Sequence, residues 1–205
     1  MIGIVDYGVG NLFSLQSSFK MIGQDAVVTG DAKVLAQADR IILPGVGAFE
    51  DAAAKLRETG MADAVLNEAE KGKPLMGICL GMQLLFEKSF EYGEHEGLGL
   101  ISGNVTDLRK DIPDSLKVPH IGWNSLSFKK ETPLFKYIKE GDFVYFVHSF
   151  YATECSDAIL ATAEYGTEVT AAVCRDNVYG CQFHPEKSGR VGLDILRAFC
   201  ELQEE

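Results

Sequence analysis

Short apolar runs alternate with helical spacings of apolar residues over the first ninety residues, and this alternation limits the fold more than any other feature. Four runs are typical of short buried strands: residues 2–8, 26–30, 39–45 and 74–78. Apolar residues recur at helical spacing in the segments that follow them: residues 11–22, 48–56, 61–71 and 80–89. Strands that alternate with helices predict an α/β fold, with a largely parallel sheet covered by helices on both faces.

The second half of the chain changes character after a polar, glycine-rich loop at residues 91–99. Shorter strand-like runs follow it: residues 100–108, 125–130, 143–152, 158–165, 170–175 and 178–184. These runs predict antiparallel or mixed strands attached to the parallel core, and residues 191–202 predict a closing amphipathic helix. No repeat, low-complexity tract or linker interrupts the pattern. We therefore expect one three-layer α/β/α domain over residues 1–205, with a mixed, mainly parallel central sheet.

Composition argues against several classes of function. Of the 205 residues, 46% are hydrophobic and 24% are charged, as in ordinary folded domains. No apolar run approaches the roughly 18 residues that span a bilayer. The apolar N-terminus has no basic region before it, so we expect a cytoplasmic protein without membrane contact. A net charge of −11 with no basic cluster argues against a nucleic-acid partner.

One of the five cysteines differs from the others. The odd number and the lack of a C-x-x-C pair argue against a disulfide framework and against a metal site. Cys79 lies in Gly77-Ile78-Cys79-Leu80-Gly81, between an apolar strand and a helix. This is the G-x-nucleophile-x-G elbow, with cysteine in place of serine. The helix N-terminus there favours the thiolate, so Cys79 is the candidate nucleophile.

The candidate base is His184, which follows the strand VYGCQF at its carboxyl end. Open α/β sheets place their sites at this end of the strands. Glu186 comes two residues later, and residues i and i+2 of an extended chain point to the same side. Glu186 can therefore hold one ring nitrogen of His184 while the other faces Cys79, which completes a nucleophile–base–orienter triad.

These motifs resemble those of the class I (triad) glutamine amidotransferases over essentially the whole chain. The triad region carries the likeness to the class, through PLMGICLGMQLLF at residues 74–86 and FHPE at residues 183–186. Three further segments resemble the glutaminase-subunit family of imidazole glycerol phosphate synthases: DYGVGN at 6–11, LPGVGAF at 43–49 and PHIGWN at 119–124. The resemblance implies a flavodoxin-like fold and a cytoplasmic enzyme of histidine biosynthesis.

The resemblance also implies a reaction and a partner. L-glutamine is hydrolysed to glutamate and ammonia through a thioester on Cys79, with neither a metal nor an organic cofactor. Ammonia then passes to a cyclase subunit with a (β/α)8 barrel, held in a heterodimer, which forms imidazole glycerol phosphate and an aminoimidazole carboxamide ribotide.

Further residues take substrate roles in this resemblance. Gln83 lies one helical turn after Cys79 and is expected to contact glutamine, and the backbone of Ser149 and Phe150 is expected to hold its amino-acid end. The N–H groups of residues 45–47, including Gly45 and Gly47, could face the oxyanion together with that of Leu80. Val46 is β-branched and resists positive φ. We therefore expect an oxyanion hole that is completed only when the partner is engaged.

The resemblance places a docking face at Asn11, Trp123, Asn124 and Lys187. Trp123 is the only tryptophan, and tryptophan is enriched in interface hot spots. Lys187 is expected to pair with a carboxylate of the partner. His148 lies in the apolar run FVYFVH, so we expect it to be a hydrogen-bonded core histidine.

The sequence leaves three alternative functions open. A triad glutaminase could serve another synthase, such as the one that makes pyridoxal phosphate, but DYGVGN and PHIGWN argue against this. A cysteine peptidase or related hydrolase could use a similar elbow, but Gln83 and the downstream HPE argue against it. A catalytically inactive binding subunit is disfavoured because all three triad residues are present.

Overall fold

The computed structural model describes residues 1–202, so the last three residues of the expected 1–205 domain lie outside the described residues. Six α-helices form within this part of the chain: α1 Leu12–Met21, α2 Ala32–Ala36, α3 Phe49–Glu58, α4 Met61–Glu70, α5 Leu80–Leu84 and α6 Gly189–Cys200. None of the helices formed by residues 1–202 combines the length and the apolar composition needed to cross a lipid bilayer.

The strands are short, as the apolar runs predict. The first seven are β1 Ile2–Val5, β2 Ala26–Thr29, β3 Arg40–Leu43, β4 Leu75–Ile78, β5 Phe86–Ser89, β6 His95–Glu96 and β7 Ile101–Asp107. The next seven are β8 His120–Ser125, β9 Ser127–Phe128, β10 Phe143–His148, β11 Phe150–Thr153, β12 Ile159–Glu164, β13 Glu168–Arg175 and β14 Val178–Cys181.

The central sheet has eight strands in the order β2-β1-β3-β4-β14-β13-β12-β9. The pairs from β2 to β14 are all parallel, whereas the pairs from β14 to β9 are antiparallel. The mixed, mainly parallel α/β sheet predicted from the strand–helix alternation is therefore confirmed. The antiparallel strands extend one edge of the parallel core, because tight turns join β12, β13 and β14.

Helices cover both faces of this sheet, which gives the three-layer arrangement. Alternate side chains of each strand enter opposite cores. In β3, Ile41 and Leu43 pack into the core beneath α3 and α4, whereas Ile42 packs into the core beneath α1 and α6. The strands are buried on both faces, which explains why they are continuous apolar runs and not alternating ones.

The predicted helix over residues 80–89 is wrong in its second half. The helix ends at Leu84, and Phe86–Ser89 forms a strand that pairs in parallel with β7. The apolar pattern does not distinguish a helix from a strand here, and Phe86 is fully buried in the strand. Partner strands formed far along the chain decide between them. The short helix α2, capped by the Asp31 side chain, was not predicted.

Two smaller sheets lie outside the central sheet. One has the order β11-β7-β5-β6, and the other is the antiparallel ribbon β8–β10. The single run predicted over residues 143–152 therefore splits at Ser149 into two strands that belong to different sheets. Strand β8 falls in the PHIGWN segment, which had not been predicted as a strand. One face of the ribbon packs on the core, and this ribbon lies beside the candidate site.

Candidate active site

Three neighbouring parallel strands bring the candidate residues together. Strands β3, β4 and β14 are adjacent in the sheet and run in the same direction, so their carboxyl ends meet at one edge. Gly45 follows β3, Cys79 follows β4 and His184 follows β14. The Cys79 N–H donates to the Cys181 carbonyl at 2.8 Å, which fixes the elbow against β14. Residues separated by more than a hundred positions therefore share one site.

The elbow at Cys79 has the strained backbone predicted for a nucleophile. Cys79 has φ 55° and ψ −110°, a backbone conformation that residues other than glycine rarely adopt. Its two flanking glycines leave no room for a Cβ atom. A Cβ on Gly81 would lie 1.8 Å from the Leu43 oxygen, and one on Gly77 would lie 2.5 Å from the Gly81 oxygen. The turn therefore requires both glycines, and α5 begins directly after the sulfur.

His184 and Glu186 form a buried pair behind the sulfur. His184 Nδ1 lies 2.8 Å from Glu186 Oε1, and the side chains are 3% and 1% exposed. The other oxygen, Oε2, is buried with no hydrogen-bond partner among residues 1–202, so the carboxylate charge is directed mainly to His184. Burial lowers the pKa of His184, but hydrogen bonds to Cys79 and Glu186, with their charges, outweigh it and raise the pKa to about 9. This raised pKa favours the protonated ring of His184.

A cavity of about 350 Å³ opens onto Cys79 and His184. Most of the predicted catalytic and substrate residues line it: Gly47, Cys79, Leu80, Gln83, Ser149, Phe150, His184 and Lys187. Glu186 is separated from the cavity by His184. Gly45 packs against the elbow, because a Cβ atom added there would lie 2.8 Å from the backbone nitrogen of Gly81. Asn11, Trp123 and Asn124 do not line this cavity. The catalytic roles of all these residues stay predictions.

Gln83 is part of a buried hydrogen-bond chain. Its Nε2 donates to the Phe150 carbonyl at 2.9 Å and to Gln182 Oε1 at 3.0 Å. Gln182 Nε2 in turn lies 3.7 Å from Cys79 Sγ. Both amide protons of Gln83 are thus bound by the protein, which leaves its oxygen as the group free to accept from a ligand in the cavity.

Two groups at this site were not predicted from the sequence. Glu91 lines the cavity from the loop after β5, and its Oε2 accepts from the Phe49 N–H at 2.6 Å. Burial raises the pKa of Glu91, although the Phe49 hydrogen bond opposes this. No sequence pattern distinguishes Glu91 from the other carboxylates of its acidic loop. Gln182 is the second group. It lies two residues before His184, so the i, i+2 rule that selected Glu186 could have found it.

His148 is a hydrogen-bonded core histidine, as predicted. Its Nδ1 donates to the Phe150 carbonyl at 2.9 Å, and its Nε2 lies 3.0 Å from His120 Nδ1. Burial first, and then the neighbouring His120, lower the pKa of His148 to about 3, and burial lowers that of His120. Both rings are therefore neutral at pH 7. Two neutral rings carry two N–H protons. The Phe150 carbonyl, the contact between the rings and the contact of His120 Nε2 with Asn124 Oδ1 at 2.7 Å would need three, so one of these contacts lacks a proton.

The exposed face of the β8–β10 ribbon is apolar. Ile121 is 57% exposed, Trp123 52% and Phe143 56%. Strand alternation puts Asn124 on the opposite face from Trp123, where its amide contacts His120 and donates to the Glu164 carbonyl. The two predicted docking residues of this strand therefore point in opposite directions.

The other two predicted docking residues lie at exposed or partly exposed positions. Asn11 is the N-cap residue of α1, and its side chain makes no capping hydrogen bond. Next to it, Phe13 is 81% exposed. Lys187 is exposed at the cavity and makes no ion pair with any residue in the range 1–202. In the same range, no group of three or more His, Cys, Asp or Glu side chains is placed to hold a metal ion.

Comparison with known proteins identifies the class first. The model of the family described as "Glutamine amidotransferase class-I" matches residues 4–201. The structure of PurLQS from Thermotoga maritima has the same fold, with a TM-score of 0.76 at 22% identity, covering 97% of this chain and 96% of that one. The chain belongs to the class I glutamine amidotransferases, as its motifs predicted.

Closer relatives narrow the family further. "Imidazole glycerol phosphate synthase subunit HisH" of Caldanaerobacter subterraneus subsp. tengcongensis is 55% identical over 203 residues, covering 98% of both chains. The protein of the same name from Sulfurimonas denitrificans is 53% identical over 203 residues, covering 97% of both. The chain belongs to this HisH family. Its relatives are subunits of a larger enzyme, which implies a partner subunit.

Proposed function

We propose that this chain is the glutaminase subunit of an imidazole glycerol phosphate synthase, a single glutamine amidotransferase domain over residues 1–205 that works in the cytoplasm. It hydrolyses L-glutamine to glutamate and ammonia. One observation carries the proposal. Cys79 stands at a strained elbow beside His184, which is buried against Glu186, and a cavity opens onto the sulfur.

The reaction proceeds in two halves. The Cys79 thiolate attacks the side-chain amide carbon of glutamine, and His184 gives its proton to the departing nitrogen, which leaves as ammonia. This step breaks the C–N bond and leaves a glutamyl thioester on Cys79. His184, now neutral, takes a proton from water as the water oxygen attacks the thioester, and the C–S bond then breaks. Glutamate leaves, and the thiolate and the imidazolium are restored without a metal or an organic cofactor.

Polar groups at the far side of the cavity fit the amino-acid end of glutamine. Glu91 is a carboxylate on the wall, and it can bind the α-ammonium group. The backbone of Ser149 and Phe150 takes the α-carboxylate, and the free oxygen of Gln83 accepts from the substrate. A cavity of about 350 Å³ suits a free amino acid, which favours glutamine over the peptide substrate of a cysteine peptidase.

The oxyanion hole lies at the loop after β3, opposite Leu80. Gly47 has φ 93°, which only glycine adopts without strain, while Val46 is not among the residues with positive φ. Val46 lines the cavity and is 42% exposed. Rotating a peptide of this loop toward the substrate would force strain on Val46. The hole is therefore completed only in the complex with the partner.

The partner is the cyclase subunit, a (β/α)8 barrel that receives ammonia and makes imidazole glycerol phosphate and an aminoimidazole carboxamide ribotide. It docks on the exposed apolar face of the β8–β10 ribbon, with Trp123 as an anchor, and on Asn11 and Lys187 around it. Asn124 lies on the opposite face of the ribbon, so its predicted part in docking is to support the ribbon through His120 and the Glu164 carbonyl. The Trp123 ring packs edge-on against the Tyr145 ring, with the ring centroids 6.0 Å apart. The Tyr145 carbonyl accepts from the backbone N–H of His184 at 2.9 Å, so the docking face is connected to the triad through Tyr145.

The test is glutamate release from glutamine, with and without the cyclase subunit and its nucleotide ligand. Wild-type activity should depend strongly on the liganded cyclase and vanish in Cys79→Ala. Cys200→Ala is the matched control, because it removes a thiol from the far end of α6. Equal activity with and without the cyclase would reject the partner-gated oxyanion hole, and an active Cys79→Ala enzyme would reject the triad.

A further inference from the structure

Gln182 is a fully buried amide beside the reacting sulfur. It is 0% exposed and lies between the end of β14 and His184. Its backbone N–H donates to the Ala171 carbonyl at 2.9 Å, which holds the residue against β13. A buried side-chain amide needs partners for its oxygen and its nitrogen. Gln182 finds them in Gln83 on one side and Cys79 on the other.

Only one orientation of the two amides satisfies the chain. The Phe150 carbonyl can accept but not donate, so Gln83 must present its NH2 group to it. The same NH2 group donates its second proton to Gln182, which must therefore present its oxygen. Turning the Gln182 amide would set one NH2 group against another. Its Nε2–H is thus directed at Cys79 Sγ, 3.7 Å away.

The sulfur has contacts of opposite electrostatic character. The carbonyl of Val147 lies 3.9 Å from Cys79 Sγ and can accept from the neutral thiol. The same carbonyl repels a thiolate, because an acceptor that pairs with the neutral form disfavours the charged one. The Nε2–H of Gln182 acts in the opposite sense, because a donor stabilises the anion. The thiolate therefore has two donors, His184 and Gln182.

We infer that Gln182 is a catalytic residue, whose amide donates to the Cys79 thiolate and holds the sulfur as the nucleophile, with Gln83 positioning that amide. This inference rests on the proposed function. It gives Gln83 a second role, since one of its amide protons binds Gln182 and the other binds the Phe150 carbonyl, while its oxygen stays free for the substrate.

The test measures how alkylation of Cys79 by iodoacetamide depends on pH, in the full-length chain. Mass spectrometry of the Cys79 peptide separates it from the other four cysteines. Gln182→Met keeps the length of the side chain and removes the donor. Gln182→Glu keeps the acceptor for Gln83 and puts an anion beside the sulfur. We expect the pH at the midpoint of the alkylation profile to rise by about one unit in Gln182→Met and by more in Gln182→Glu. Glutaminase kcat/KM at neutral pH should fall about tenfold in Gln182→Met.

Thr170→Val is the matched control. It removes the buried hydrogen bond from Thr170 Oγ1 to the Ala152 carbonyl at 2.8 Å and the contact of the same oxygen with Cys155 Sγ at 4.0 Å, on the neighbouring strand β13. Its alkylation midpoint should equal that of the wild type. A midpoint that stays unchanged in both Gln182 variants, or a rate that falls equally at every pH, would overturn the inference. The proposed function is tested separately by the loss of glutaminase activity in Cys79→Ala. Failure of the inference about Gln182 can therefore be distinguished from failure of the proposed function.

Discussion

Replacing Glu186 with glutamine should weaken the imidazolium of His184 while preserving the shape of the site. Glutamine has nearly the same size and can still accept from His184 Nδ1, now 2.8 Å from the carboxylate oxygen. It lacks the charge. The pKa of His184 is about 9, against about 6.5 for an ordinary histidine. The difference of about 2.5 units corresponds to about 3.4 kcal/mol at 1.36 kcal/mol per unit.

Burial opposes this shift, so Cys79 and Glu186 together supply at least that amount. If they share it equally, Glu186 supplies at least about 1.2 units, or about 1.7 kcal/mol. The alkaline limb of the kcat profile reports loss of the His184 proton. In Glu186→Gln this limb should move from about pH 9 to below about pH 8, so kcat should change little near pH 6 and fall by ~20-fold above pH 9.

The shift is measured by following glutamate release by the complex between about pH 6 and 10. This range extends roughly two units on either side of the midpoint expected for the alkaline limb of the variant. The control is Glu168→Gln, which removes an exposed carboxylate paired with Lys129. An alkaline limb that stays at the wild-type position in Glu186→Gln, with kcat within about twofold, would refute the assignment of Glu186 as the group that holds His184 protonated.

Three further outcomes are expected. Glu91→Gln should raise KM for glutamine by ~10-fold and leave kcat nearly unchanged in steady-state assays, because it removes a charged contact to a part of the substrate that does not react. Trp123→Ala should weaken cyclase binding by ~10–100-fold, measured by calorimetry, without lowering the Tm of the isolated chain, since the ring is half exposed. His148→Gln should reduce acid destabilisation in urea unfolding. The unfolded ring binds a proton below its ordinary pKa of about 6.5, but the folded ring does so only near its pKa of about 3. The stability that comes from the neutral His148 ring is therefore fully present above pH 6.5, and the free energy of unfolding falls by about 2 kcal/mol at pH 5.

Each of these expectations has a contrary result. Glu94→Gln is the control for Glu91, because Glu94 lies in the same loop and pairs with exposed Lys88. Equal KM in the Glu91 and Glu94 variants would exclude contact with the α-ammonium. Unchanged affinity in Trp123→Ala would move the docking face elsewhere. A wild-type protein as stable at pH 5 as at pH 7.5 would mean that the His120–His148 pair takes up a proton readily and makes all three of its contacts.

The sequence predicts the elements of the parallel core well because each is specified locally. An apolar run such as residues 74–78 can be buried on both faces only as a central strand. Local information fails for residues 86–89, where the apolar pattern does not distinguish a helix from a strand and a distant strand, β7, decides between them. It fails again for residues 143–152, since only the packing of two sheets separates β10 from β11.

The candidate site divides in the same way. Cys79, His184 and Glu186 are found from the sequence because the elbow is a local motif and because residues two apart in extended chain share a side. The orientation of Trp123 away from Asn124, the presence of Glu91 on the cavity wall and the amide chain through Gln182 are decided only by the tertiary structure. Motifs record the backbone that a residue needs, but contacts between distant segments depend on how the sheet edges and loops pack together. That packing is settled by the whole chain at once.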